Sequence, residues 1–192
     1  MSKNTSYQPR LKAQYQSEIR SALQKELGLD NINQVPELSK VVVSVGVGKK
    51  REDKRFVDAV NTTLTKITGQ KPITRLAKRS VAGFKIRAGM GAPVGYLVTL
   101  RGTKAYEFVD RLINVALPNV RDFHGTPAGA FDNQGNYNFG ITDQSVFPEI
   151  SFEDSIVAHG LEITIVIKNG SKTGSRALLE KFGLPFEKKG AK

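Results

Sequence analysis

The residues of this sequence best suited to binding a ligand are Lys and Arg in a stretch that contains no acidic residue. Residues 59–106 contain nine Lys and Arg and no Asp or Glu. A solvated surface does not require such segregation, because mixed charges keep a protein equally soluble. A cationic run of this kind suits a polyanion, since Lys and Arg neutralise phosphates and release their counterions. The placement of charge therefore favours nucleic-acid binding.

The opposite charge is concentrated later in the chain. Residues 123–167 contain no Lys or Arg, and their six acids are Asp132, Asp143, Glu149, Glu153, Asp154 and Glu162. The net charge of +11 is thus the balance of a strongly basic region and an acidic one. This distribution predicts two charged surfaces that meet different partners.

Glycine-rich motifs for nucleotide binding are incomplete. The segment Gly46–Lys50 resembles the end of a phosphate-binding loop. In that alignment Val43 stands where the loop has its first Gly, and Lys50 stands where it has Ser or Thr. The glycines at positions 89, 91 and 95 miss the dinucleotide-binding spacing by one residue. A flexible loop accounts better for the second group.

Catalytic and metal-binding clusters are also missing from the sequence. His124 and His159 lie far apart and have no carboxylate at metal-ligand spacing, so each is expected in the core or on the surface. Glu149, Glu153 and Asp154 lie among apolar residues, as solvent-side partners do. The sequence predicts a non-enzymatic protein without a metal or cofactor.

Length and composition predict one domain over residues 1–192. A chain of 192 residues is long enough for a packed core, and 39% of its residues are hydrophobic. The absence of Cys excludes disulfides and thiolate metal sites and is typical of a cytosolic protein. No apolar run reaches the roughly 18 residues that a membrane span needs, and residues 1–6 do not resemble a signal peptide. We expect a soluble cytoplasmic protein without membrane partners.

Hydrophobic periodicity predicts four helices and four strands that position the cations. The predicted helices cover 9–27, 56–67, 106–117 and 176–182, and the predicted strands cover 41–45, 73–79, 96–101 and 162–167. A mobile loop is expected at 81–95, an irregular excursion at 121–141 and a flexible N-terminus at 1–8.

The strand patterns predict a sheet with two unlike faces. In the run 96–101, Val98 and Leu100 point one way while Thr99 and Arg101 point the other. Helices on the apolar face leave the opposite face open, which is an antiparallel α+β architecture. Small polar residues on the open face permit close approach of an RNA minor groove. Alternatively, Ser44, Thr99 and Thr164 merely solvate an exposed sheet face.

Six collinear segments resemble the bacterial-type large-subunit ribosomal protein five family. The resemblance runs from about Tyr7 to Phe186 and is carried by GQKPITRLAKRSVAGFKIRAG (69–89), VTLRG (98–102), RDFHG (121–125), FDNQGNYNFGI (131–141), FPEI (147–150) and GLEITI (160–165). It implies an antiparallel sheet with helices on its convex side and an RNA-binding concave side.

The resemblance also implies function and partners. It implies a cytoplasmic protein of the ribosome that binds 5S rRNA and attaches it to the large subunit in the central protuberance. It further implies contacts with large-subunit rRNA, with neighbouring 5S-associated proteins and with P-site tRNA. A bridge to a small-subunit head protein, ribosomal protein thirteen, completes the implied partners.

The family's functional residues map onto this sequence one by one. The implied 5S rRNA surface contains Ser44, Gln70 and Thr99, with Lys71, Arg75, Lys78 and Arg101 as phosphate partners by charge. Position 44 is often Asn in this family, and Ser offers one donor where an amide offers two, so a contact there is weaker or water-mediated.

Two further segments receive roles from the resemblance. The loop 81–95, with Lys85, Ile86 and Arg87, is the implied tRNA contact. The segment 121–141, with Arg121, Asp122, Asp132 and Asn133, is the implied intersubunit bridge, and its acidic surroundings suit a basic partner.

Two other functional classes remain open. An RNA-binding regulator acting off the ribosome would share the basic block without needing the acidic segment, and co-sedimentation with large subunits would distinguish it. An enzyme acting on phosphoryl substrates would need a base or a metal cluster, and a metal-dependent turnover assay would reveal it.

Overall fold

Five strands form one antiparallel sheet in the part of the chain that the structure, a computed structural model, describes: residues 7–50, 53–84, 86, 88 and 93–187. The strands are β1 (Glu37–Gly46), β2 (Ile73–Leu76), β3 (Pro93–Arg101), β4 (Tyr137–Ile141) and β5 (Leu161–Lys168). Their order across the sheet is β2-β3-β1-β5-β4. The predicted α+β class with an antiparallel sheet is confirmed.

Burial alternates along the central strands as the sequence pattern predicts. In β1, Val41, Val43 and Val45 are buried, whereas Ser44 between them is half-buried. In β3, Val98 and Leu100 are buried while Thr99 is half-buried and Arg101 exposed. Successive strand residues point to opposite faces, so one face of the sheet is core and the other carries the polar residues.

The helices form where the sequence places apolar residues at helical spacing. Helix α1 consists of Arg10–Gln14, a π-helical turn Tyr15–Ile19 and Arg20–Glu26; α2 is Lys54–Thr68; α3 is Thr103–Arg111, continued by a π-helical turn Leu112–Ala116 and a 3₁₀ turn Leu117–Asn119; α4 is Phe152–Ser155; and α5 is Lys172–Lys181. The remaining 3₁₀ turns are Ile32–Gln34, Gly48–Lys50, Ala82–Phe84 and Gln144–Val146. No helix within the described residues is both long enough and apolar enough to cross a bilayer.

Helix α2 shows why the sequence specifies these elements. Its N-cap is Asp53, whose Oδ1 accepts hydrogen bonds from the backbone N–H groups of Arg55 (3.0 Å) and Phe56 (3.5 Å). Its C-cap is Gly69, at φ +63°, a left-handed conformation that favours glycine. The helix predicted to end before Gly69 is confirmed.

Most predicted boundaries differ from the observed ones by a few residues, and three of the differences affect segments with a predicted role. The prediction of an irregular excursion over 121–141 is wrong for its last five residues, which form the edge strand β4. In this strand every second residue, Tyr137, Phe139 and Ile141, is buried. Residues 93–95 of the expected loop 81–95 belong to β3. Strand β2 ends at Leu76 rather than 79, where pairing with Pro93 shifts the register. Proline has no N–H to continue the ladder.

The chain divides into two compact units, and the first is organised around helices. Unit 1 comprises Met1–Val41, Leu100–Asn138 and Ile165–Lys192. In its core the rings of Tyr15, Tyr106 and Phe182 lie 6.2–6.4 Å apart. The Tyr15 hydroxyl donates to the carbonyl of Pro36 at 2.9 Å, and burial raises the pKa of Tyr15 to about 12.

The second unit contains most of the residues of functional interest. Unit 2 comprises Val42–Thr99 and Phe139–Thr164. Helix α2 buries Val60, Leu64 and Ile67 there, at periodic spacing. Strand β2, the start of β3 and the ends of β1 and β4 all belong to this unit.

Candidate nucleic-acid interface

Exposed cations line strand β2 and the turn after it. Lys71, Arg75, Lys78 and Arg79 are all exposed. None of them forms a salt bridge with a residue that the structure describes. Unpaired cations on an exposed segment are available to phosphates, which they bind by charge-assisted hydrogen bonds.

The pairing of β2 with β3 fixes where these cations lie. Thr74 pairs with Tyr96 and Arg75 with Gly95 in an antiparallel register. Tyr96 is buried, so Arg75, one residue on, lies on the opposite, polar face of the sheet. Gly95 permits the close approach of β1, because a Cβ on Gly95 would meet the Val45 carbonyl at 2.9 Å.

Two predicted RNA-contacting residues are brought together. The Nε2 of Gln70 donates to the backbone carbonyl of Thr99 at 3.4 Å, across 29 residues of sequence. Both residues are half-buried, and Gln70 is held from behind by Thr68, whose Oγ1 donates to the Gln70 carbonyl at 3.1 Å. The Gln70 Oε1 and the Thr99 Oγ1 have no hydrogen-bond partner among the described residues, so both can bind a ligand.

The third predicted polar residue, Ser44, has an acidic neighbour. Its Oγ donates to Oε2 of Glu162 at 3.3 Å, and the two residues are 118 positions apart in sequence. Glu162 is exposed and lies in β5, beside β1. The polar face at Ser44 therefore carries a carboxylate, which the sequence interpretation counted only as a part of the acidic segment.

The remaining predicted RNA contact, Arg101, ends strand β3. It is exposed and lies two residues after Thr99, so its side chain extends from the same face of the strand. It belongs to unit 1, whereas Ser44, Gln70, Lys71, Arg75, Lys78 and Thr99 belong to unit 2.

The predicted tRNA-contacting loop is only partly described. Val81 and Ile86 form an antiparallel bridge, with N–H to carbonyl distances of 2.9 and 3.1 Å. Ile86 is half-buried. Lys85 and Arg87 lie outside the described residues, so their predicted role stays a prediction.

In the predicted bridge segment, Asp132 is occupied by its own turn. Its Oδ1 accepts from the backbone N–H of Gln134 (2.9 Å) and of Asn136 (2.7 Å), and its Oδ2 accepts from the Asn136 side-chain amide (2.8 Å). These hydrogen bonds, above all that of the Asn136 side chain, lower the pKa of Asp132. The carboxylate closes the turn, while Asn133 beside it is exposed, as are Arg121 and Asp122.

The acidic segment also meets the basic one directly. The Nζ of Lys66 on α2 lies 2.6 Å from Oδ2 of Asp154, whose carboxylate also accepts from Ser151 at the start of α4. The Lys66 ammonium, followed by the Ser151 hydroxyl, lowers the pKa of Asp154 to about 2. One acid of the acidic segment is therefore paired with a cation of the basic region within the fold.

The histidines occupy the positions expected of non-catalytic residues. His159 is buried, its backbone N–H donates to Oε1 of Gln144 at 2.8 Å, and its ring meets Phe56 edge-on at 6.1 Å. His124 is exposed. Among the described residues, no three His, Asp or Glu side chains converge as a metal site would require.

Sequence patterns missed one exposed apolar pair. Phe152, the first residue of the short helix α4, is 88% exposed, and Ile156, which follows the helix, is 75% exposed. The sequence prediction included no element at these residues, where the structure has a four-residue helix. A four-residue helix has too few positions to show a period.

Comparison with known proteins decides between the candidate functions. A family model described as "Ribosomal protein L5" matches residues 31–87, and a second model, which describes the C-terminus of the same ribosomal family, matches residues 93–186. The chain belongs to the ribosomal protein L5 family. Members of this family are ribosomal proteins rather than enzymes, which confirms both the resemblance and the prediction of a non-enzymatic protein.

Individual members of the L5 family match over nearly the whole chain. The large ribosomal subunit protein uL5 of Sulfurimonas denitrificans is 48% identical over 179 residues, 93% of this chain and 97% of that protein. The uL5 protein of Flavobacterium johnsoniae is 48% identical over 182 residues, 95% and 98% of the two chains. That of Rubrobacter xylanophilus is 49% identical over 177 residues, 92% and 97% of the two chains.

Proposed function

We propose that this L5-family chain is a structural constituent of the large ribosomal subunit and binds 5S rRNA through the polar face of unit 2. The observation that carries the proposal is the row of exposed cations Lys71, Arg75 and Lys78, which form no salt bridge with a described residue, beside the polar pair Gln70 and Thr99. The cations bind phosphates and the polar pair contacts sugars or base edges. A protein with these properties acts in the cytoplasm, on the ribosome.

The polar pair suits the minor groove of RNA. An A-form minor groove is wide and shallow and presents 2′-hydroxyls, which both donate and accept hydrogen bonds. The Thr99 hydroxyl can do either, and the Gln70 Oε1 accepts. Because both side chains are half-buried and Gln70 is anchored at Thr68 and Thr99, little side-chain freedom is lost on binding.

The proposal includes further ribosomal contacts on the strength of the family resemblance. Within it, the loop 81–95 contacts P-site tRNA, and exposed Arg121, Asp122 and Asn133 contribute to the bridge with the small-subunit head protein. Large-subunit rRNA and neighbouring 5S-associated proteins complete the partners. Asp132 supports this bridge by shaping its turn, since its carboxylate is already hydrogen-bonded.

Filter binding of the chain to 5S rRNA tests the polar pair. We expect Gln70→Ala combined with Thr99→Ala to weaken binding about thirtyfold, because two hydrogen bonds to RNA are lost and each contributes roughly 1 kcal/mol. Thr74→Ala is the matched control, since exposed Thr74 pairs with Tyr96 and so lies on the other face of β2. Unchanged affinity of the double variant, with its melting curve intact, would sink the proposal that this pair touches RNA.

Co-sedimentation separates the ribosomal role from action elsewhere. We expect the chain to enter large subunits reconstituted with 5S rRNA and to remain there through a sucrose gradient. A chain that binds 5S rRNA in filters but never sediments with subunits would instead be an RNA-binding regulator acting off the ribosome.

A further inference from the structure

A shallow, open cleft of about 530 Å³ lies in unit 2 where strands β1 and β4 end and β5 begins. It is lined by Ser44, Gly46, Gly140, Thr142, Gly160 and Glu162, among others. Ser44 carries a predicted RNA contact, but no other residue of the cleft has a role in the proposed function. A volume of this size suits a ligand as large as a nucleotide.

Glycines keep the cleft open. A Cβ on Gly46 would meet nothing within 4 Å, and one on Gly140 would meet only the Leu161 carbonyl, at 4.0 Å. Neither glycine has a positive φ, so backbone conformation does not demand glycine at either position. Their effect is to leave bare backbone beside open space, a surface on which a flat ring can lie.

The charge of the cleft argues against a phosphate and for a hydrogen-bond donor. Glu162 is exposed at its rim, and its Oε2 accepts from Ser44 at 3.3 Å. Its Oε1 has no hydrogen-bond partner among the described residues. A carboxylate repels phosphate oxygens, whereas two carboxylate oxygens accept two parallel donors well.

Guanine is the nucleobase that offers such a pair. Its N1–H and its exocyclic N2–H₂ are adjacent donors on one edge, whereas adenine and cytosine each present one exocyclic amine beside an acceptor. In single-stranded RNA this edge is free to be bound. The unpaired cations Lys71, Arg75 and Lys78, in the same unit, supply the phosphate contacts that an RNA chain needs.

We propose that the cleft receives an unpaired guanine of the bound RNA, with its N1–H and N2–H donating to the Glu162 carboxylate and its ring lying on Gly46 and Gly140. The proposal rests on the RNA binding proposed above and adds base selectivity to it. Ser44 fixes the carboxylate by its hydrogen bond, and the shortness of Ser leaves the carboxylate accessible.

Inosine substitution in 5S rRNA tests this proposal, because inosine keeps N1–H and lacks the exocyclic amine. Transcripts carrying inosine at random guanosine positions are partitioned on filters, and the bound fraction is mapped. We expect inosine to be depleted from the wild-type complex at one unpaired guanosine, with about tenfold weaker binding of RNA substituted there. Glu162→Gln should bind unsubstituted RNA about tenfold more weakly and lose this depletion.

Two further variants isolate the cleft. Gly140→Val places a side chain on its floor without changing the charge, and its Cβ would meet only the Leu161 carbonyl, at 4.0 Å, so it should weaken binding and abolish the depletion as Glu162→Gln does. Glu153→Gln is the control, because Glu153 is an exposed carboxylate of the same unit outside the cleft, and it should behave as wild type. Circular dichroism confirms that each variant is folded.

The outcomes separate this proposal from the one on which it rests. If wild type does not bind 5S rRNA, the proposed function fails. If wild type binds but tolerates inosine at every position, or if Glu162→Gln and Gly140→Val keep the wild-type pattern, the guanine site is overturned while 5S rRNA binding stands. If Glu162→Gln weakens large-subunit association without changing RNA binding, Glu162 pairs with a cation of a protein partner, and the guanine site is likewise overturned.

Discussion

The basic segment 70–79 and the acidic segment 123–167 carry opposite charges and use them in different ways. Lys71, Arg75 and Lys78 make no salt bridge with any described residue, so their charges face solvent. By contrast, Asp132 closes a turn and Asp154 pairs with Lys66. The difference teaches that a charge run in sequence indicates a partner only where the fold leaves it unpaired.

Three of the six acids of the acidic segment are explained by local structure. Asp143 accepts from the backbone N–H of Ser145 at 2.9 Å and so caps a 3₁₀ turn, much as Asp132 and Asp154 stabilise their own turns. Carboxylates favour such positions because backbone N–H groups at the start of a turn or helix lack partners. We therefore expect substitutions in the basic segment to lower RNA affinity and substitutions in the acidic segment to lower stability.

The largest effect is expected from reversing the unpaired cations. Lys71, Arg75 and Lys78 changed together to Glu should weaken 5S rRNA binding on the order of 10²–10³-fold and flatten the salt dependence by about two to three in slope, since three phosphate contacts are lost. Filter binding between about 0.05 and 0.2 M salt measures both quantities.

The control for that reversal has the same change in charge. Exposed Lys25, Lys168 and Lys172 lie in unit 1, and their reversal to Glu should reduce affinity far less. Equal losses in the two triple variants would mean that net charge alone, rather than the unpaired cations of β2, drives RNA binding. Reversing Lys78 and Arg79 alone should give an intermediate loss with a smaller change in slope.

An intermediate effect, on stability rather than on binding, is expected from Asp154→Asn. The pKa of Asp154 is held near 2, below its ordinary value of 3.8, so its stabilising contribution is present above about pH 4 and is lost as pH falls towards 2. The variant should melt a few degrees below wild type at neutral pH, and the two melting curves should converge near pH 2.

Thermal unfolding by circular dichroism at several pH values checks this expectation. Glu153→Gln, one residue earlier, is the control and should match wild type throughout. If the gap between Asp154→Asn and wild type persisted at pH 2, the contribution of Asp154 would not come from its charge. RNA affinity at neutral pH should be unchanged in both variants.

The smallest effect is expected from Asp132→Ala, which removes the acceptors of one turn. The backbone N–H groups of Gln134 and Asn136 lose their partner, so their hydrogen exchange should accelerate while the global melting temperature falls only slightly. Exchange measured by NMR distinguishes these amides from the rest. If both amides stayed protected from exchange, Asp132 would not be the residue that closes the turn. Its carboxylate would then be available to bind a partner.

Local patterns made much of the fold predictable from the sequence. The alternation of apolar and polar residues in β1, β3 and β5 specified both the strands and their two faces, because successive residues of a strand point to opposite sides of the sheet. Helix α2 could be bounded from Gly69. Strand β4 was missed because Asn138 and Gly140 separate its buried residues and make the segment look like a loop.

The candidate site was less predictable, because its decisive contacts are distant in sequence. Ser44 meets Glu162 across 118 positions, and Lys66 meets Asp154 across 88. No periodicity encodes such pairs, since they depend on strand order and on helix packing. The Asp132 turn is different: its partners lie within four residues, so the spacing from Asp132 to Asn136 was a usable signal.

The order of the segments along the chain also determines which unit is translated completely first. The segments of unit 1 come from residues before 42, from 100–138 and from after 164, whereas all of unit 2 lies between 42 and 164. Thr126 is paired with Phe186 by hydrogen bonds to Pro185 and Glu187, the last described residues to be translated. Since chains emerge from the N-terminal end, unit 2 has all its residues before unit 1 does. The unit that bears most of the proposed RNA-binding residues is thus the first to be complete in sequence.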